Sequence, residues 1–180
     1  SSSSHAGNQE LARLVETQSK FLLMVSANRE AKNPIKLLRA FERYQRYDKT
    51  LKLVMVGRPG VSQENVVGLP FLSDADLDVA FRNCHALIYP SYFEGFGYPP
   101  VEAMRYGKPV LAANVTSIPE VLGGAAIYFS PFYDADIFAS MMKLSRSDYS
   151  ELAKKSLERY EIIHEKQEDG LKKVVSLILK

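Results

Sequence analysis

The sequence predicts an α/β protein built on a doubly wound parallel sheet. Three observations carry this: short apolar runs ended by turn residues, amphipathic helix-length segments between most of them, and regular alternation of the two along the chain. Strands covered on both faces by helices read as nearly unbroken apolar runs. Such runs stand at Lys20–Ser26 (KFLLMVS), Leu51–Gly57 (LKLVMVG), His85–Pro90 (HALIYP), Pro109–Asn114 (PVLAAN) and Ala125–Ser130 (AAIYFS).

The chain opens Ser-rich and without the hydrophobic segment of a signal peptide, so residues 1–19 are expected to form a flexible lead or tag-like segment. Residues 20–180 are expected to form a single domain. After the first strand, Pro34 begins a helix that runs through Tyr47, with Ile35, Leu38 and Phe41 on one face. Ser73 or Asp74 caps a second helix that continues to Asn83. A third starts at Pro99 and ends before Gly107, and Asp134–Leu144 makes a fourth. Beyond Ser147 the chain is helical, with one stripe at Ala153, Leu157 and Tyr160 and another at Leu171, Val174, Val175 and Ile178. These are extra C-terminal helices trailing the sheet.

One junction is too short for this scheme. Only eight residues, Gly57 to Glu64, separate Val56 from the apolar piece at Asn65–Val67, and a parallel crossover usually takes ten to twelve or more. Either a segment between Arg58 and Glu64 is absent from this sequence, or the connection is a bare loop.

Composition narrows the function classes. With 180 residues, 46% of them hydrophobic and 24% charged, the chain can bury one substantial core. Its 23 basic and 21 acidic residues leave a net charge of only +2, which does not indicate nucleic-acid binding. The single Cys84 excludes an internal disulfide and fits a buried small hydrophobe in a reducing, cytoplasmic setting. No apolar run approaches bilayer length, so membrane association is not indicated.

Open sheets of this kind bind ligands at the carboxyl ends of their strands. The stretch YPSYFEGFGYPPVEAMRYGKPV (Tyr89–Val110) lies at such an edge. Gly95 and Gly97 let the backbone approach a ligand and aim N–H groups at it. Pro99 then begins a helix whose positive end favours phosphate. Glu102, in its first turn, is expected to point into the same pocket and accept the vicinal hydroxyls of a ribose, with Glu94 facing the other end of the ligand. The twice-repeated Asp-Ala-Asp, at 74–76 and 134–136, reads as helix caps and first-turn acids. His5 falls in the lead, and His85 and His164 lack neighbours at ligand spacing, so no metal site is expected.

At these residues the chain resembles retaining glycosyltransferases of the GT-B fold, of the family 4 or group 1 type. EGFGYPPVEAM resembles their E-x7-E signature. FLLMVSANREAKNPIKLLRAF is similar to the first strand, phosphate-contacting loop and helix of their C-terminal domain, and VVGLPFLSDADLDVAFRNCHALIYPSYFEGFG to the base-binding strand and the approach to the signature. The resemblance spans roughly Lys20 to Met142. It implies the Rossmann-like C-terminal, donor-binding half of a GT-B fold, paired with an N-terminal acceptor-binding domain, and a nucleotide-diphosphate sugar as donor without a separate cofactor or metal. It implies that Glu102 binds ribose hydroxyls, that Glu94 contacts the transferred sugar, and that Gly95, Phe96, Gly97 and Tyr98 touch sugar and diphosphate through their backbone. Phe71 and Leu72 would receive the base, and the loop Asn28–Lys32 the diphosphate, with Lys32 as the family's lysine and a catalytic residue together with Glu94. The arginine usual five residues before that lysine is Ala27 here, and Arg29 is the expected replacement. Two other readings share the fold: a nucleotide-sugar-binding module without catalysis, and a nucleotide-sugar epimerase. A flavodoxin-like signalling domain would need an acidic cluster after the first strand, where VSANRE is neutral to basic.

Overall fold

The apolar runs pair into one six-stranded, all-parallel sheet in the computed structural model, which describes the backbone of residues 2–178 and the side chains of residues 9–172. The strands are β1 (Phe21–Met24), β2 (Lys52–Val56), β3 (Val66–Leu69), β4 (Ala86–Tyr89), β5 (Val110–Ala113) and β6 (Ala126–Phe129), in the order β3-β2-β1-β4-β5-β6. The order in which successive strands are laid across the sheet reverses between β1 and β4, where Leu22 pairs with Ala86 and Leu23 with Leu87 in parallel. That reversal is a topological switch point, the place where loops diverge and leave a crevice.

Strand periodicity divides the core into two layers. Phe21, Leu23, Val54, Val56, Leu87, Tyr89, Val110 and Ala112 face one side. Leu22, Met24, Leu53, Met55, Ala86, Ile88, Leu111 and Ala113 face the other. The second side is covered by α2 (Pro34–Tyr44) and α6 (Asp134–Arg146), which pack on each other through residues such as Leu37, Phe41, Ile137 and Met141. The first side is covered by α3 (Asp74–Asn83), α4 (Tyr98–Arg105), the short α5 (Ile118–Leu122) and α7 (Tyr149–Ile178). Ser73 caps α3, its Oγ accepting from the Asp76 N–H at 3.2 Å.

Two expectations change. The first concerns residues 1–19, where a helix, α1 (Ser2–Glu16), stands in place of a flexible lead. Its Leu11 and Leu14 are buried in the first core layer beside α3 and β3, so apolar spacing overrides the polar start. The second concerns the C-terminus, where one 30-residue helix replaces separate helices. Ser156 and Ile163 are its buried line, Leu157 is partly exposed, and Leu171 is exposed. The side chains of Val174, Val175 and Ile178, like that of His5, lie outside the described residues.

The short junction is a bare loop from Gly57 to Asn65 with no helix, the second of the two readings the sequence leaves open. It returns along the sheet because its own groups anchor it: Gly57 and Arg58 N–H both donate to the Leu69 carbonyl, at 2.9 and 3.0 Å. Val61 packs on the second core layer, and Asn65, in the left-handed region, donates from Nδ2 to Gln45 Oε1 at 2.5 Å.

Candidate functional site

The loops after β1 and β4 meet at the switch point. Ala27 N–H donates to the Val56 carbonyl at 2.9 Å, holding the start of the β1 loop against β2. The loop then makes one 3-10 turn over Glu30–Lys32 and enters α2 through Asn33, whose left-handed backbone (φ 60°) reverses the chain. Lys32 is turned inward and is 9% exposed. Its Nζ donates to the Tyr89 hydroxyl at 2.8 Å and forms a close ion pair with the Glu94 carboxylate. Nζ also lies 4.6 Å from the centre of the Tyr89 ring. Two of the three ammonium donors are thus engaged, and one is spare.

The electrostatics of this trio are set by burial against partners. Burial pushes the Glu94 carboxyl up, but hydrogen bonding to Lys32, Ser91 and Tyr89 and the Lys32 charge outweigh it and hold it below the ordinary carboxylate range. Glu94 is therefore an anion at neutral pH. Burial and the neighbouring Glu94 charge push the Tyr89 phenol well up, so it stays protonated. The charge of exposed Arg29 acts on Tyr89 in the opposite sense. Ser91 Oγ is buried beside Glu94 and Tyr89.

The turn after Glu94 is held from the β5 side. Thr116 Oγ1 and Ser117 Oγ donate to the Glu94 carbonyl at 3.0 and 3.2 Å, and Ser117 reaches the Gly95 carbonyl as well. Gly95 is exposed, with open space where a Cβ would stand. Gly97 caps α4 at φ 84°, and a Cβ there would meet Ile118 Cδ1 at 2.6 Å. Phe96 packs partly into the core with its ring 4.9 Å from that of exposed Tyr98.

The predicted residues separate into groups. Lys32 and Glu94 touch. Glu102 lies on α4 outside their hydrogen-bonded cluster, half exposed, with Arg105 Nη1 3.9 Å away as its charged neighbour. Phe71 is 64% exposed, and its ring lies over Gly57, close to Asn28. Leu72 packs partly into the first core layer. Sequence reasoning missed Tyr89, Ser91, Thr116 and Ser117. Tyr89 reads as the last apolar residue of a strand, and only the switch-point position of β4 marks its hydroxyl end as polar; Thr116 and Ser117 follow β5 at a strand end where ligands gather.

Among the described residues no helix is long and apolar enough to cross a membrane. No group of three or more His, Cys, Asp or Glu there has metal-site geometry.

Comparison with known proteins gives concordant findings. The model of the family described as "Glycosyl transferases group 1" matches residues 9–159. The serotype-specific mannosyltransferase WbdA of Escherichia coli is 42% identical over 84 residues, 47% of this chain and 10% of that protein. The O-antigen chain mannosyltransferase B of Escherichia coli is 40% identical over 82 residues, 46% of this chain and 21% of that protein. These matches therefore span a tenth to a fifth of the relatives' lengths. Among solved structures, the α,α-trehalose 6-phosphate synthase of Burkholderia multivorans superposes with a TM-score of 0.73 at 11% identity, over 97% of this chain and 48% of that one. The sucrose-phosphate synthase of Thermosynechococcus elongatus superposes with a TM-score of 0.71 at 18% identity, over 88% of this chain and 46% of that one. At those identities the likeness is one of fold.

Proposed function

The chain belongs to the group 1 glycosyl transferases, and from that membership we propose that it is the donor-binding domain of a retaining enzyme that moves a sugar from a nucleoside diphosphate to an acceptor. The acceptor is held by an N-terminal domain outside this chain, and the isolated domain does not turn over. The observation that carries the reading is the Lys32–Glu94–Tyr89 trio at the switch point, beside the Gly95–Gly97 turn and the start of α4.

The chemistry follows from charge. Breaking the sugar–phosphate bond leaves added negative charge on the diphosphate, and stabilising that charge in a partly dry site is the main catalytic task. Lys32 supplies a buried cation with a spare donor, and the α4 N-terminus adds backbone N–H groups and a partial positive charge. Arg29 contributes a second cation. Glu94, held ionised, orients the Lys32 ammonium and accepts hydroxyls of the transferred sugar. Glu102, half exposed and in the second turn of α4 rather than the expected first, accepts the ribose diol; Phe71 and Leu72 border the base.

The first donor sugar to test is mannose, because the relatives with the stated identities are mannosyltransferases. Thermal unfolding with a panel of nucleoside diphosphates tests donor binding: a diphosphate at a hundred times its Kd adds about 2.7 kcal/mol of stability. A panel that leaves the unfolding temperature unmoved overturns the reading. Turnover of the matching nucleotide-mannose, assayed in a chain joined to its acceptor domain, tests transfer itself.

A further inference from the structure

We infer that Arg58, on the loop between β2 and β3, is a phosphate-binding residue of the donor site. The assignment rests on the donor-binding reading above and adds a residue to it.

Geometry carries the inference. Along the carboxyl edge of the sheet, Phe71 follows β3, Arg58 follows β2, Asn28 follows β1 and Glu94 follows β4, in the spatial order of those strands. Adjacent strands lie about 4.8 Å apart, so the edge from β3 to β4 spans about 14 Å. A nucleotide with its base at Phe71 and its sugar at Glu94 passes over the loops between them. Arg58 stands on that path, and its Nη1 lies 3.4 Å from the carbonyl oxygen of Ala27 itself. The guanidinium therefore sits over the β1 loop that carries Asn28 and Lys32.

This cation is held in place, unlike an ordinary surface arginine. The Arg58 N–H is tied to Leu69 at 3.0 Å. Its carbonyl oxygen packs so closely on Gly68 that any Cβ there would collide with it. Gly57, at φ 88°, turns the chain just before it under the Phe71 ring. No carboxylate pairs with Arg58 among the described residues. Five N–H donors in a planar fork, one of them on a long bond to a carbonyl, leave a face suited to bidentate contact with phosphate oxygens.

The test compares wild type with Arg58→Ala and Arg58→Gln, the latter keeping N–H donors for the Ala27 carbonyl while removing the charge. Titration calorimetry with uridine and guanosine diphosphates, and displacement by inorganic pyrophosphate, reads affinity; thermal unfolding without added nucleotide reads structure. Both variants are expected to raise the Kd of the nucleoside diphosphate and of pyrophosphate alike by about tenfold to a hundredfold. The unfolding temperature of Arg58→Gln is expected to stay within about 2 °C of wild type. Unchanged affinity in Arg58→Gln while wild type binds overturns the assignment and leaves the donor site standing. Weakened nucleotide with unweakened pyrophosphate also overturns it, moving Arg58 to the base. Wild type that binds none of the diphosphates overturns the donor reading and this assignment with it.

Discussion

Lys32 and Glu94, 62 positions apart in sequence, form a close ion pair across the switch point of the sheet. Neither side chain is free to leave water cheaply. The pair is tolerated because Tyr89 adds a hydrogen bond to the ammonium and because loops from two strands hold both partners.

Lys32→Ala is expected to weaken nucleoside diphosphate binding by about 1–3 kcal/mol, the scale of a lost charge-assisted hydrogen bond. Titration calorimetry at neutral pH measures it, and unchanged affinity would remove Lys32 from the site.

Lys32→Met is expected to destabilise the fold more at pH 7 than at pH 4. In the wild type the Glu94 carboxyl is depressed, so its contribution is present above the ordinary value of 4.5 and is lost as pH falls through the lower folded-state value. In the variant the same carboxyl keeps its burial and loses its cation, so protonation in acid relieves it. Urea titrations of both proteins at the two pH values give the comparison; an equal loss at both would contradict it.

Gly97→Ala is expected to cost about 1–2 kcal/mol, because alanine is strained at φ 84° and its Cβ meets Ile118. The same change at exposed Gly95, where no atom crowds the position, is expected to cost less. Chemical denaturation of the two variants side by side decides it.

Gly68→Ala is expected to destabilise by about 1–3 kcal/mol, since its Cβ meets backbone, which cannot rotate away. Displacing the Arg58 carbonyl also moves its guanidinium, so nucleoside diphosphate affinity should fall with stability. A destabilised variant with wild-type affinity would separate the loop from the site.

His85 is expected to make the fold less stable as pH drops below 6.5. Its folded-state value is lowered by burial first and then by Lys20 and Lys108, with Asp48 opposing, so the unfolded chain takes up the proton sooner. His85→Gln should flatten the pH dependence between 6.5 and the lower folded value, read from denaturation midpoints across that range.

The sheet was legible because its strands are buried on both faces: FLLM, ALIY and VLAA are fully buried from end to end, and β2 is buried from Leu53 to Val56. Helices with a proline or serine start were equally plain. Helix α1 was obscured by four serines, although Leu11 and Leu14 carried the helical spacing. α5 has only five residues, too few for a period to show. At the site, single residues announced themselves through glycine and acid spacing, but contacts did not. That Lys32 meets Glu94 follows from β1 lying next to β4, a fact of topology, and that Glu102 has Arg105 for its charged neighbour follows from their shared helix.

The helix-free link between β2 and β3 has a consequence for how the molecule assembles. Leu53 pairs with Val66, a separation of 13 positions, whereas Leu22 pairs with Ala86 across 64. Closing the longer loop costs about 1.4 kcal/mol more in chain entropy, so the arginine-bearing edge is the quickest part of the sheet to zip and the lysine–glutamate seam among the slowest. A nascent chain is therefore expected to form the crevice at the switch point as one of the last acts of folding, after the scaffold beside it has set.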